Sequence, residues 1–343
     1  MEFHSTESTW PIAGGTNRFS DWLSWNTMDL PYFCFCLFGF HMKFLLRVFA
    51  ITFCCTTSLF AEDFRILAWN VESNRPNSPA VSNDVVIGKQ LTELLGTSNT
   101  RSQVIALSEV EPKSVFILRD AAAKGLGSEV DFVTSASGGF QDSDTLMLIV
   151  DKNRFRIEET FELHRFAGIA ANFCVSDSGN ELGALRARSP LAVKLVDVTT
   201  SKACWIIVNH LARGEADLRT DQAKMLVKWA ASKSEPVISA GDHNFDFDFK
   251  TQQGNDGYKA MIEGGVWSWL KPNPLIDSNW ADDRRVNDKR VDRYPDSILD
   301  FIFVANQAKE WNGCCSVIVR DGDFPDSNET SDHRPIIATL SPK

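Results

Sequence analysis

Short apolar runs in this chain end, one after another, in polar residues suited to chemistry. The run 64–69 ends in Asn70, 104–107 in Ser108-Glu109, 205–208 in Asn209-His210 and 237–240 in Gly241-Asp242-His243-Asn244. The run Ile298-Leu299-Asp300-Phe301-Ile302 carries a carboxylate inside it, and the last run, 335–340, follows Ser331-Asp332-His333-Arg334. Runs of this length, rich in β-branched and aromatic residues and bounded by turn formers, read as buried strands. Loops at strand ends are where a rigid scaffold displays functional groups. The chain is therefore expected to fold around packed sheets whose strand ends converge on one site.

The segments between fit that expectation. Residues 64–71, 104–110, 145–150, 154–163, 190–198, 203–208, 236–240, 298–304, 315–319 and 335–340 read as strands. Residues 85–95 and 217–232 carry apolar side chains at helical spacing, and 112–124 opens with Pro112, which suits a first helical turn. Residues 245–297 are rich in Asp, Asn, Gly and Pro and read as irregular. Hairpin-like strand pairs mixed with helices predict an α/β (α+β) fold of two packed sheets with helices outside, not a doubly wound parallel sheet. No internal sequence repeat is evident.

The beginning of the chain differs from the rest. Residues 1–41 show no sustained periodicity and read as a mis-assigned or unstructured leader. From Met42 come Lys43 and Arg47, an apolar centre, and the exit Ser58-Leu59-Phe60-Ala61. These are the parts of a signal peptide over residues 42–61, which predicts a secreted or periplasmic domain over 62–343. The apolar centre is too short to span a bilayer comfortably, so membrane contact is expected only through this segment. The cysteines beyond it are Cys174, Cys204, Cys314 and Cys315. Export permits disulfides, but the spacing matches no zinc motif and fixes no pairing; structural thiols or one or two disulfides are expected. The formal net charge of −10 argues against affinity that comes from a broad basic surface coating DNA. It does not exclude local neutralisation of phosphate by an ion and a few basic side chains.

The strand-end residues form a coherent chemical kit. Glu109 and Asn70 offer hard oxygen ligands for Mg²⁺ or a similar ion. Asp300, amid Ile, Leu and Phe, is costly to bury without a partner, and histidine is the natural one. His210 and His333 supply acid–base capacity near neutral pH. Asp242 and Asn244, two residues apart, are expected to point into one cleft from a tight loop.

In order, Trp69-Asn70-Val71, Ser108-Glu109-Val110, Asn209-His210-Leu211, Gly241-Asp242-His243-Asn244, Leu299-Asp300-Phe301 and Ser331-Asp332-His333-Arg334-Pro335 resemble the motifs of the endonuclease/exonuclease/phosphatase superfamily. The resemblance spans nearly all of residues 64–340; Gly–Asp–x–Asn and Ser–Asp–His are its specific elements. Ser143-Asp144-Thr145-Leu146 and Arg188-Ser189-Pro190 further resemble the deoxyribonuclease I-like branch. The resemblance implies a four-layered sandwich of two packed mixed β-sheets flanked by helices, with the site at the top of the sheets. It implies Glu109 as the principal metal ligand, with Asn70 beside it and Asp332 as a further ligand. The ion implied is Mg²⁺, with Mn²⁺ or Ca²⁺ as alternatives. It implies His333, oriented by Asp300, as general base, and His210, oriented by Asp144, as acid or phosphate-stabilising partner. Asp242 and Asn244 then orient the nucleophile and hold the phosphate, and Arg188 meets its charge.

The expected function is a secreted, metal-dependent phosphodiester hydrolase, an endonuclease acting on DNA or RNA as a monomer, with no stable protein partner implied. One alternative keeps the chemistry on lipid or small phosphate esters, although no exposed apolar hairpin of the kind a lipid enzyme needs is evident. Another is a non-catalytic binding protein on the same scaffold, which would be expected to have lost a catalytic group; none is missing. Within 245–297, Arg284, Arg285, Lys289 and Arg290 offer contacts to a nucleic-acid backbone. Trp267, Trp269, Trp280 and Tyr294 either stack on bases or pack this segment onto the core, and packing is the expectation.

Overall fold

A computed structural model of the chain describes residues 62–72, 84–135, 145–166, 184–185, 187–279, 284–286, 289–291, 296–321 and 330–343, all within the unit Thr57–Lys343. Residues 1–61, where a leader and a signal peptide are expected, and Asp144, Cys174, Trp280 and Tyr294 lie outside the described residues.

The strands are β1 (Phe64–Asn70), β2 (Val104–Val110), β3 (Val130–Thr134), β4 (Thr145–Asp151), β5 (Phe155–Glu162), β6 (Arg165–Phe166), β7 (Ala184–Leu185), β8 (Leu191–Asp197), β9 (Ala203–His210), β10 (Val237–Asp248), β11 (Trp267–Trp269), β12 (Arg284–Val286), β13 (Lys289–Val291), β14 (Ser297–Ala305), β15 (Asn312–Val317) and β16 (Ile336–Ser341). The helices are α1 (Asp84–Gly96), α2 (Val115–Leu126), α3 (Ala216–Ala231) and α4 (Asp256–Ile262). One sheet has the order β15-β16-β1-β2-β4-β3 and the other β11-β14-β10-β9-β8-β5. Within each, one central pair is parallel, β1 with β2 and β9 with β10, and the remaining pairs are antiparallel.

Side-chain alternation explains the layering. Along β1, Ile66 and Ala68 face the second sheet, whose Val193, Ile206, Val208, Ile238, Ala240, Ile302 and Val304 join them in the central core. Leu67 and Trp69 point the other way and pack with Ile105, Leu107 and Ile149 against Ile87, Leu91 and Leu118 of α1 and α2. In the second sheet Ile207, Phe301 and Phe303 turn outward onto Leu226 and Trp229 of α3 and Met261 of α4. Period-2 strands buried on both faces thus give helix, sheet, sheet, helix, the four-layered sandwich. Each fully buried Leu, Ile or Val contributes about 1.5–3 kcal/mol to that assembly.

The structure departs from the sequence reading in several places. Strand β10 does not stop at Ala240; it runs on through Gly241–Asn244 to Asp248, so Asp242 and Asn244 stand on an irregular strand rather than a loop. Residues 245–297 are not irregular throughout, since α4, β11 and the β12–β13 hairpin lie within them. A turn of 3-10 helix over Pro112–Ser114, with Pro112 at its first position, precedes α2, so the α-helix itself begins at Val115 and not at Pro112. The short strand β3, which pairs with β4 at a sheet edge, interleaves Val130, Phe132 and Val133 with Asp131 and has no continuous apolar run to announce it. Trp267 is buried in β11, and Trp269 packs edge-on against Phe247 at 4.7 Å, so both pack the segment onto the core. Cys204, Cys314 and Cys315 are free thiols, with Cys204 and Cys315 buried. Among the described residues no helix is long and apolar enough to cross a membrane.

Candidate active site

The C-terminal ends of the two parallel pairs meet. Asn70 of β1 stands opposite Ser108 of β2, and His210 of β9 opposite Asp242 of β10, which in turn faces Asp300 of β14. Both parallel pairs end in irregular backbone. Glu109 takes a left-handed φ of 56° where the β2–β4 register slips between Leu107 and Val110. Asn244 does the same at 53° where the β10–β14 register slips between Asp242 and Phe247. Bulges of this kind re-aim side chains, and strained non-glycine backbone gathers at functional sites. At Gly241, φ is 123° and an added Cβ would lie 2.5 Å from the Asn209 carbonyl oxygen, so only glycine lets β10 approach β9 here.

At the centre is Asp242, buried, with both histidines facing one of its oxygens. His210 Nε2 lies 3.6 Å and His333 Nε2 3.8 Å from Oδ2. His210 Nε2 is also 3.3 Å from Glu109 Oε1. The Asn70 amide nitrogen donates to Glu109 Oε1 at 3.1 Å and to Asp242 Oδ2 at 3.2 Å. Asp242 Oδ1 accepts the Asn244 backbone N–H at 2.9 Å, and the Asn244 amide donates to the Leu211 carbonyl at 2.9 Å. Glu109, Asn70, His210, Asp242, Asn244 and His333 are therefore one connected cluster.

His333 is held from behind. Its Nδ1 lies 2.8 Å from Asp300 Oδ2, with Asp300 fully buried. The Leu299 and Asp300 amides donate to Ser278 Oγ, which fixes the aspartate's backbone. Ser331 Oγ accepts from the His333 amide and donates to the Asn70 carbonyl, and Trp69 Nε1 donates to the His333 carbonyl. Burial pushes the imidazolium pKa down, but Asp300 first, then Asp332 and Asp242, outweigh it and hold His333 well above the ordinary histidine value. Burial raises Asp242 to about 6, with Asp300 adding to the rise and His333 and Arg213 opposing it.

His243 plays a different part from its neighbours. It is fully buried among Phe245, Phe301 and Phe303, with Nδ1 2.9 Å from the Gly241 carbonyl and Nε2 3.0 Å from Ser239 Oγ. Burial lowers its pKa to about 4, so the neutral ring donates from Nδ1 and accepts at Nε2. Asn209 donates to the same Ser239 hydroxyl, which ties β9 to β10 directly beneath Asp242.

The structure sets some expected residues in other positions. Asn70 turns its nitrogen, not its oxygen, toward Glu109, while its Oδ1 accepts the Glu72 amide at 3.1 Å. As placed it donates to two carboxylates, with its own oxygen taken up by the Glu72 amide. Arg188 donates from Nε to the His210 carbonyl at 3.2 Å and from Nη2 to the Leu211 carbonyl at 3.3 Å, buttressing the strand end that carries His210. Asp332 stands at the rim, half-buried, with Oδ1 3.8 Å from His333 Nε2. Asp144, expected to orient His210, lies outside the described residues.

Two supports were not anticipated. Buried Arg219 donates to the Ala212 and Arg213 carbonyls, and Gln222 accepts the Ala212 amide while donating to the Arg188 carbonyl. Their i,i+3 spacing on the buried side of α3 was the available signal.

Glu109 and Asp242 concentrate buried carboxylate charge at one amide, which is unfavourable without a cation. The oxygen-rich donor set suits Mg²⁺, which takes one or two carboxylates and keeps several waters. Glu109 would hold it, with Asp332 at the rim as the second carboxylate. Among the described residues no three His, Cys, Asp or Glu side chains already converge at ligand distances.

No family model matches the chain, and no curated protein matches it by sequence. Solved structures do match its shape. An endonuclease/exonuclease/phosphatase from Bacteroides vulgatus is 17% identical, with 82% of this chain and 100% of that one covered at a TM-score of 0.58. Truncated Caenorhabditis elegans TDP2 is 13% identical over 82% and 99%, at 0.56. The human Nocturnin catalytic domain with bound sulfate is 16% identical over 81% and 94%, at 0.51. The chain therefore has the endonuclease/exonuclease/phosphatase fold.

Proposed function

We propose that this chain is a phosphoric ester hydrolase of the endonuclease/exonuclease/phosphatase superfamily: a secreted, divalent-metal-dependent phosphodiesterase that cuts DNA or RNA internally. The observation that carries the proposal is the pair of buried imidazoles facing one oxygen of Asp242 from two strand systems, with Glu109 beside them. In-line displacement at phosphorus needs a base on the entering side, an acid on the leaving side and negative charge in fixed places between them. His333, oriented by Asp300, takes a proton from water as the new P–O bond forms. His210 donates a proton to the departing oxygen as the old P–O bond breaks. Asp242 and Asn244 hold the water and the phosphate in line.

A divalent ion on Glu109, when bound, would supply charge neutralisation for the phosphate oxygens. Asp300, Asp332 and Asp242 favour the protonated form of His333, and a cation held by Glu109 and Asp332 would oppose that preference. TDP2 and Nocturnin, which share the fold, support the superfamily reading. Export rests on the basic start, apolar centre and Ala61 exit of residues 42–61, and N-terminal sequencing of the exported protein beginning at Glu62 would test it.

The deciding experiment incubates the full chain with Mg²⁺, Mn²⁺ or EDTA and supplies plasmid DNA, RNA, sphingomyelin or a phosphate monoester, beside His333→Ala. Metal-dependent nicking of nucleic acid that vanishes in the variant supports the proposal. Turnover of lipid or monoester alone moves the substrate class but keeps the chemistry, and no turnover of any substrate overturns the enzymatic reading.

A further inference from the structure

A phosphodiester carries negative charge into a site already crowded with Glu109, Asp242, Asp300 and Asp332. Besides a metal ion, some side chain must meet that charge. Arg188, the expected candidate, has its guanidinium engaged with the His210 and Leu211 carbonyls beneath the strand end. We infer that Arg213 is the residue that grips the substrate phosphate, while Arg188 is a positioning residue for His210.

Arg213 follows His210 by three positions, on the exposed turn that leads into α3. Its Nη1 lies 3.5 Å from Asn244 Oδ1, at the edge of hydrogen-bonding range. Asn244 is in turn bonded through its backbone N–H to Asp242 and through its amide to the Leu211 carbonyl. The guanidinium thus stands one side chain away from the carboxylate that both catalytic imidazoles face. Its charge reaches that carboxylate and opposes the effect of burial on it.

The backbone that carries Arg213 is tied down. Buried Arg219 donates from Nη1 to the Ala212 carbonyl at 2.8 Å and to the Arg213 carbonyl at 2.7 Å. Gln222 Oε1 accepts the Ala212 amide at 2.9 Å. A side chain presented from a fixed backbone loses less freedom on binding than one on a loose loop. A planar guanidinium offers a phosphate two parallel N–H donors, and the weak 3.5 Å contact to Asn244 is readily exchanged for them.

The inference rests on the phosphodiesterase reading, so its test needs a readout that does not require turnover. The full chain, Arg213→Ala, Arg213→Lys and Arg188→Ala are compared with Mg²⁺ present. Inorganic phosphate binding is measured by calorimetry, thermal melting monitors the fold, and kcat and KM are taken on whichever phosphodiester the wild type cleaves. Arg213→Ala is expected to melt with the wild type and to weaken phosphate binding about tenfold, raising KM by a similar factor while kcat changes little. Arg213→Lys is expected to recover part of the loss, since it keeps the charge without the fork. Arg188→Ala is expected to lower kcat and the melting temperature and to leave phosphate affinity in place. Wild-type phosphate affinity in Arg213→Ala, or a loss confined to Arg188→Ala, overturns the inference. A wild type that binds phosphate through Arg213 yet cleaves no ester upholds the inference and sinks the hydrolase reading.

Discussion

At the residue scale the decisive pair is Asp300 and His333. A fully buried carboxylate 2.8 Å from Nδ1 fixes the ring with Nε2 toward Asp242 and raises the imidazolium pKa against the effect of burial. For a general base, the rate rises with pH as the ring loses its proton. Asp300→Asn removes the largest influence that keeps the proton on, so the acid limb of kcat/KM should move to lower pH. The maximal rate should fall about a hundredfold or more as the base loses orientation and strength. An unmoved limb would assign it to another group. Asp242 makes the opposite kind of prediction. Burial raises its folded-state pKa to about 6, above the ordinary 3.8. The fold therefore holds that proton more tightly than the unfolded chain does, and stability falls as pH rises between those values and stays lower above them. Asp242→Asn should raise the melting temperature by several degrees at pH 7.5 in EDTA while abolishing turnover, a site in which activity is held at the expense of stability. Asp300 was legible because a charge amid Ile, Leu and Phe demands a partner. The orientation of Asn70 was not, because it is set by a hydrogen bond from Glu72 that no spacing encodes.

At the element scale, β10 organises the site by refusing to end. Gly, Asp and Asn are turn formers, so the chain from Gly241 reads as a loop. Pairing with β9 and β14 overrides that local preference through Asp242 and resumes at Phe247, with left-handed residues at Gly241, Asn244 and Asp246 absorbing the irregularity. The neutral His243 ring, bonded to Gly241 and Ser239 among Phe245, Phe301 and Phe303, closes the strand on its helix-facing side. Gly241→Ala tests whether this close approach matters. Its Cβ would meet Asn209 backbone at 2.5 Å in a conformation that L-residues disfavour. The variant should lose about 3 kcal/mol or more of stability in denaturant titration and turn over poorly even when folded, because strands β9 and β10 must separate. Wild-type stability and kcat in Gly241→Ala would mean that the contact is easily relieved.

At the scale of the whole molecule, the two sheets repeat one pairing pattern that the sequence does not repeat. In each, an antiparallel strand flanks a parallel pair joined through a helix, β1-α1-β2 in one and β9-α3-β10 in the other. Pairing depends on backbone direction and apolar alternation, which many sequences satisfy, so the likeness of the halves leaves no trace in residue identity. The consequence is chemical: four strand ends bring Asn70, Glu109, His210 and Asp242 to one place, and carboxylates from both halves crowd there. If these carboxylates hold a divalent cation as proposed, the scaffold should be stabilised as a whole by it. Binding to the folded state alone adds about 2.7 kcal/mol at a hundredfold excess over Kd. The melting temperature of the full chain should therefore climb with Mg²⁺ and return on EDTA addition, and Glu109→Gln should blunt the climb without lowering the melting point in EDTA. If Glu109→Gln responds to Mg²⁺ as the wild type does, the ion is held elsewhere and Glu109 serves only to face His210. If neither protein responds, these buried carboxylates are balanced by the two imidazoles and Arg213, and the metal-dependent reading loses its structural ground.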